Sequence, residues 1–397
     1  MLESLRLIDF KSFVDETVPL SPLTFLVGAN AAGKSNVLDA LRFLQGAAYQ
    51  LRLSEVLDGE EGREPDAWRG IRGGAREAAR YGSTGFAVHS QWRLDLLDAL
   101  GMPRVAEGRH EIRCEVRPTV RVLEEASVDP EGNDRVRLRR SDRGELVMTP
   151  DHLAPGALRD LDDGRSALLR PGPVGDLNVG YYARALERVR FVDIQPDRMR
   201  ELSRSGPPLR DDGANFSGVL HALSRDPETR KTFIEWVAEL CAPELSDLDF
   251  IEVEELGDVM AVLIERDGRR ISARSMSDGT LKFLGILTAV YTAEEDSIVC
   301  FEELGAGLHP ARVRLLMELL ETVHRERGVQ TIATTHSPSL LRWLDDERLG
   351  QAVLLARPQG SPGTVVRRLE DLPGFFDAVR SLGLEEMFST QWLEIAL

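Results

Sequence analysis

Apolar and polar positions change period several times along the chain, and each change predicts a different element. Residues 5–10 and 14–18 read as two strands, and 23–27 as a short buried one. Helical spacing follows over 35–44, then a Gly- and Arg-rich stretch at 58–85 predicts loop and short helix. From 86 to 148 the period becomes two. Ile112, Cys114 and Val116 alternate with Glu111, Arg113, Glu115 and Arg117, and Val136 and Leu138 alternate with arginines. With a hairpin turn expected at Asp142-Arg143-Gly144, this predicts an antiparallel sheet with one solvated face.

Beyond a loop-rich stretch at 150–173, residues 188–195 read as a strand and 196–248 as mainly helical, with helices at 218–224 and 228–241. Strands at 250–253 and 260–265 pair across Asp258. A buried helix at 281–291 and a buried strand at 297–301 follow, then helix 313–325, strand 331–334 and helix 340–344. Strands at 352–356 and 364–368 and a helical tail close the chain. No internal repeat, heptad run or low-complexity tract is visible.

Composition changes this picture little. The 397 residues are 42% hydrophobic and 29% charged, an ordinary globular balance. No apolar run approaches the ~18 residues that span a bilayer, so no membrane partner is expected. The N-terminal residues lack the features of a signal peptide. Cys114, Cys241 and Cys300 are scattered without metal spacing, which points to a reduced cytoplasm. A net charge of −17 gives no support to a wholesale polyanion-binding surface, though a local patch stays open. There are only four lysines: Lys11, Lys34, Lys231 and Lys282.

Candidate chemistry begins at Gly28-Ala29-Asn30-Ala31-Ala32-Gly33-Lys34-Ser35, which fits G-x-x-x-x-G-K-[ST]. A strand precedes it and a helix follows, the order a phosphate-binding loop requires. Glycines let backbone N–H groups wrap phosphate oxygens at the helix start. Lys34 would reach the β- and γ-phosphates, and the Ser35 hydroxyl would take a place on Mg²⁺. Further along, an apolar strand ends in Glu302 and Glu303: one acid to hold the metal, Glu302, and one to act as general base, Glu303. Alone, such a pair could equally be solvated acids capping a strand. Ser277-Asp278-Gly279, just before the buried helix, is either a second anion cradle or a plain helix cap. His336, after a buried strand, can hydrogen-bond a γ-phosphate or be a satisfied loop histidine. Gln195 before Pro196 can sense the same phosphate or Mg²⁺, or do neither.

The order of these segments resembles that of ABC-type ATPase heads. More narrowly, the chain resembles the RecF/SMC/OLD-like branch, grouped among AAA-type ATPases related to ABC. Phe10-Lys11-Ser12-Phe13 is similar to the branch's N-terminal Phe-[Arg/Lys]-Ser element, and the loop extends through Asn36. Residues 302–310 are similar to its Glu-Glu-Pro-Glu-x-Gly-Leu-His-Pro segment, with Leu304 and Gly305 replacing Pro and Glu. That change predicts a loop that moves differently. Glu302 stands where many ABC ATPases carry Asp. Thr335-His336-Ser337-Pro338 completes the set, and Asp212-Gly213-Ala214-Asn215-Phe216 is similar to an Asp-Gly-x-Asn-Leu element before the lid helix. No long coiled coil interrupts the chain, so it is not an SMC filament. No TOPRIM-like acidic set follows, Asp345-Asp346-Glu347 being wrongly arranged, so nuclease activity is not expected.

The resemblance implies an α/β P-loop NTPase fold, an ABC-ATPase-like head with a mixed central sheet, an antiparallel β subdomain and a helical lid. It implies lobe I at 1–195 with the β insertion at about 86–148, a lid and signature lobe at 196–289, and the rest of the ATPase core at 290–397. The implied cofactors are ATP and Mg²⁺. Lys11, Asn30, Ala31, Ala32, Gly33, Lys34, Ser35 and Asn36 would contact nucleotide, Ser35, Gln195 and Glu302 would serve the metal, and Lys34, Glu303 and His336 would be catalytic. Ser277 and Gly279 of a second copy would close on the γ-phosphate, giving an ATP-dependent homodimer. Three outputs fit such a head: DNA repair or maintenance, with Arg-bearing strands between Arg113 and Arg143 facing DNA or merely solvent; antiphage defence through a separately encoded effector or nuclease; and, against the Phe-Lys-Ser and Gly-Leu-His-Pro elements, a transporter motor.

Overall fold

The computed structural model describes residues 1–60, 67–97, 103–140, 146–149, 163–169, 177–206, 208–240, 245–253, 255–336 and 338–397. They divide into two compact units, Met1–Val189 with Asp346–Leu397, and Arg190–Asp345.

The first unit opens with strands β1 (Leu2–Ile8), β2 (Asp15–Pro19) and β3 (Leu23–Val27). Helices α1 (Lys34–Ala48), α2 (Leu53–Asp58) and α3 (Gly74–Ala78) follow. Then come β4 (Gly85–Leu97), β5 (Pro103–Glu115), β6 (Arg121–Val128), β7 (Asp134–Arg140), β8 (Leu146–Thr149) and α4 (Leu177–Glu187). The period-two segment does form an antiparallel sheet, but a larger one than expected. β1 and β2 join it, giving the order β2-β1-β4-β5-β6-β7-β8. Leu7, Val88, Ile112 and Leu138 line its buried face, where Phe86 meets Phe43 of α1 edge to face at 5.1 Å. The expected hairpin turn at Asp142-Arg143-Gly144 lies outside the described residues.

Among the described residues, that buried face carries one acid, Glu125. It accepts from His110 Nε2 (2.7 Å), Ser166 Oγ (2.5 Å) and the N–H groups of Ala167 and Leu168 (2.7 and 3.1 Å). Burial alone would raise its carboxyl, but these donors hold it below the usual carboxylate range. They also tie the 163–169 segment to the sheet.

The second unit contains β9 (Arg190–Val192), α5 (Pro196–Met199), β10 (Ser203–Arg204), α6 (Phe216–Leu223), α7 (Pro227–Leu240), β11 (Leu245–Val253), β12 (Asp258–Glu265) and β13 (Arg270–Ser272). After these come α8 (Asp278–Tyr291), β14 (Ile298–Phe301), α9 (Pro310–Arg327), β15 (Gln330–Thr335) and α10 (Pro338–Leu341). β14 runs parallel between β9 and β15 and is buried at all four residues, as a strand covered on both faces must be. β10, β12, β11 and β13 make a separate antiparallel sheet. The strand read over 188–195 is shorter than expected. It stops at Val192, because Gln195 is the N-cap of α5 with Pro196 at its first position.

The chain then returns to the first unit with α11 (Asp346–Gln351), β16 (Val353–Ala356), β17 (Val365–Arg368) and helices α12 (Phe375–Ser381), α13 (Leu384–Ser389) and α14 (Trp392–Ile395). β16 pairs in parallel with β3 and antiparallel with β17, so this layer is mixed. The C-terminal hairpin therefore flanks the strand that feeds the glycine loop. Among the described residues, no helix is long and apolar enough to cross a membrane.

Candidate nucleotide site

In the first unit, β3 ends at Val27 and the chain turns sharply. Gly28 has φ +142°, Ala31 +63° and Gly33 +110°. A Cβ on Gly28 would lie 2.1 Å from the Leu355 carbonyl oxygen of β16, so no other residue fits there. Gly33 caps α1 without a side-chain acceptor, and the first turn holds no acid. A 15-residue helix thus starts with its N–H groups unanswered by a capping side chain, the arrangement that accepts a bound anion. Lys34 is buried, and its Nζ donates to Gly28 O (2.8 Å) and Ala29 O (2.9 Å), which holds the ammonium inside the loop. Ala29, Asn30 and Ala31 form the exposed crest, while Ser35 and Asn36 are half-buried. These residues fit a triphosphate: a glycine-shaped backbone cradle, a helix start without an acid, and a cation within it.

The loop is braced from both ends of the sequence. Thr364 Oγ1 donates to Ala32 O (2.9 Å) and bonds Ser12 Oγ (2.8 Å), which also accepts from Asn36 Nδ2 (2.9 Å). Sequence reading missed Thr364, which lies just before β17 and carries no motif. Lys11, at φ +50°, turns its Nζ to Asp39 of α1 (2.5 Å) and to Arg72 O (2.6 Å). Its ammonium therefore pins the Phe-Lys-Ser turn to the helix.

In the second unit, β14 delivers Glu302 and Glu303. The Glu302 N–H donates to Val192 O (3.2 Å). Glu303 has φ +50°, uncommon for a residue with a side chain, and the surroundings over-determine it. Its N–H donates to Thr334 Oγ1 (3.0 Å), its carbonyl accepts from Lys282 Nζ (3.4 Å), and its Oε2 is within hydrogen-bond reach of His336 Nδ1. Burial pushes the Lys282 ammonium pKa down against the pull of Asp193 and Glu303. Lys282 and Thr334 were also not foreseen. Both support an unusual backbone, which sequence alone does not reveal.

The replacements at 304 and 305 have a physical reason. The Leu304 N–H donates to Thr334 O (3.0 Å), which a proline could not do, and Gly305 sits at φ +86°. Ser337 lies outside the described residues. Gln195 is exposed, with its N–H on Asp212 O (3.1 Å). The Asp212-Gly213-Ala214-Asn215 turn is held by Asp212 Oδ1 on the Ala214 N–H and by Asn215 on the backbone of Arg210 and Pro208.

Ser277 acts as the N-cap of α8, accepting from the Thr280 N–H (3.2 Å). Gly279 is half-buried, and a Cβ there would meet Gly307 O at 3.0 Å. Three of the arginines considered for DNA contact are answered by acids on their own sheet: Arg137 by Glu124, Asp134 and Glu111, Arg139 by Glu124, and Arg121 by Glu115.

Fold and glycine loop together define an ATPase head of the ABC/SMC-like kind. Over 93% of this chain and 98% of the other, the fold is similar to the crystal structure of an SMC head bound to the C-winged helix domain of ScpA, with a TM-score of 0.50 and 14% identity. The family described as "AAA domain, putative AbiEii toxin, Type IV TA system" matches residues 23–94 and 133–342, more than half of the chain, and this protein belongs to it. Among curated proteins, it is 32% identical over 117 residues to an endonuclease MutS2 of Streptococcus equi subsp. equi, covering 28% of this chain and 15% of that protein. It is 38% identical over 72 residues to the chromosome partition protein Smc of Xanthomonas oryzae pv. oryzae, covering 16% of this chain and 6% of that one. The matched segments are thus a small part of those relatives.

Proposed function

We propose that this protein binds ATP with Mg²⁺ and hydrolyses it to ADP and phosphate in a homodimer that closes around the nucleotide. The glycine loop at 28–35 binds the phosphates, and the Lys34 ammonium answers their charge. Ser35, Glu302 and Gln195 would serve Mg²⁺; when bound, the ion would supply charge neutralisation for the phosphates. Glu303 takes the proton of the attacking water as the terminal P–O bond breaks. His336, on the same carboxylate, orients it. Ser277 and Gly279 of the second copy close the site. Closure follows because a phosphate held by both copies binds the closed state more tightly than the open one.

The observation that carries this reading is Glu303, held in a left-handed conformation by Thr334 and Lys282 with His336 on its carboxylate. Backbone distortions of this kind cluster at active sites, which supports the reading of Glu303 as a positioned catalytic acid. Replacing Glu303 by Gln is expected to leave ATP bound and the protein dimeric by light scattering. A variant that hydrolyses like the parent, or stays monomeric in excess ATP, refutes the scheme.

We assign the output to DNA maintenance in the cytoplasm, supported by the names of the relatives, an endonuclease MutS2 and a chromosome partition protein. Its test is salt-dependent DNA binding and DNA-stimulated turnover. The family's description, which names a toxin system, and the charge-paired sheet favour a second reading. In it the head gates a separately encoded effector, and co-purification of a neighbouring gene's product with loss of that complex in the Glu303→Gln protein would select it.

A further inference from the structure

The segment that leaves Gln195 ends at Arg200, the C-cap of α5. From there the guanidinium reaches the start of α8. Nη2 donates to Met276 O (3.2 Å) and to Asp278 Oδ1, while Nη1 donates to Asp197 Oδ1 (2.7 Å). Asp278 is the residue between Ser277 and Gly279. As a first-turn acid it suits the helix dipole. Yet its side chain is 77% exposed, at the turn offered to a phosphate, where a second negative charge repels the ligand. An ion pair this open to water adds little to the stability of the fold. Its effect falls on what approaches the turn.

We propose that Arg200 is a positioning residue for the closed dimer. It cancels the Asp278 charge and, through Met276 O, fixes the residues that lead into Ser277, so that the partner copy's triphosphate can seat on Ser277 and Gly279. This rests on the ATP-bridged dimer proposed above. It also joins the nucleotide-facing Gln195 to the turn that meets the second nucleotide, since Asp212 pins the Gln195 backbone and α5 is a single turn. Met276 and Asp278 thus receive, through one side chain, the position of the segment that follows Gln195.

The test uses the full chain carrying Arg200→Ala. Turnover and ATP-driven dimerisation are expected to fall by roughly five- to tenfold at low salt. The affinity of the monomer for a fluorescent ATP analogue should stay as in the parent. Raising the ionic strength should narrow the deficit, because the uncovered Asp278 charge is screened. Adding Asp278→Asn to the same chain should restore most of the loss, which a merely structural role for Arg200 would not allow. An Arg200→Ala protein that dimerises and turns over like the parent overturns the proposal, and so does a deficit that Asp278→Asn leaves untouched. Ser277→Arg measured alongside separates the two levels. If it turns over normally, the ATP-bridged dimer itself fails. If it is inactive while Arg200→Ala is normal, only the role of Arg200 fails.

Discussion

Helices α1 and α8 both begin at glycine-bearing turns, and these two turns are built on opposite principles. Before α1 the backbone is left-handed at Gly28, Ala31 and Gly33, no side chain caps the helix, no acid sits in its first turn, and Lys34 is folded inside. Before α8, Ser277 is in ordinary extended backbone, its hydroxyl caps the helix, Asp278 follows, and Gly279 is half-buried. The first turn has N–H groups that no side chain caps and a cation, which suits it to hold an anion by itself. The second has met its own needs and carries a negative charge covered by an arginine. In the proposed dimer it serves the phosphate as the second half of the site. Bracing differs in the same sense. Ser12, Asn36 and Thr364 tighten the first turn, whereas the second is held by the half-buried Arg200 and the exposed Ser277 hydroxyl.

In the function proposed above the first turn captures the ligand and the second closes the site, and this contrast can be broken in order of expected effect. Glu303→Gln should cut hydrolysis by about 10³-fold while leaving nucleotide bound, since it removes the proton acceptor and keeps the shape. Single-turnover kinetics give the answer, and parent-like rates would remove Glu303 from the chemistry.

Gly28→Ala should cost about 3 kcal/mol or more of stability, because the new Cβ meets a backbone carbonyl at 2.1 Å in a left-handed conformation. Gly279→Ala, with its nearest atom at 3.0 Å, should unfold at nearly the parent temperature yet hydrolyse more slowly. Equal thermal shifts in the two variants would erase the distinction between the turns.

Lys34→Ala should weaken ATP binding by about 2–3 kcal/mol, the worth of a charged hydrogen-bond donor, while Ser277→Arg should leave the monomer's affinity alone and abolish turnover. Titration calorimetry on both variants decides this; similar losses of affinity would mean that both turns capture the ligand. The smallest effect is expected from Thr364→Val, about 1 kcal/mol in stability, with a comparable loss of nucleotide affinity as the loop relaxes. If affinity is untouched, the brace serves the fold alone.

Much of this was legible in the sequence, for local reasons. The glycine loop could be located because only Gly tolerates such φ values and because Lys and Ser in that frame have one common chemical use. The parallel strands were legible as short apolar runs, and the antiparallel sheet as strict alternation in Ile112, Cys114 and Val116, all of them buried. The cap at Ser277 was one of two readings that the residues allowed, and the hydrogen bond to Thr280 shows that the cap is made.

What only tertiary structure decided is who supports whom. Thr364 braces Ala32 across a separation of 332 residues, and nothing in its neighbourhood announces it. Lys11 is a cation in a nucleotide-binding element by sequence, but Asp39 and Arg72 claim its ammonium. Arginines that alternate along β7 look like a basic strip until cross-strand acids on β5 and β6 answer Arg137 and Arg139. Period and propensity are properties of a few consecutive residues, so a sequence states them outright. Charge pairing and backbone bracing depend on which distant segments meet, and that is set only when the chain has folded.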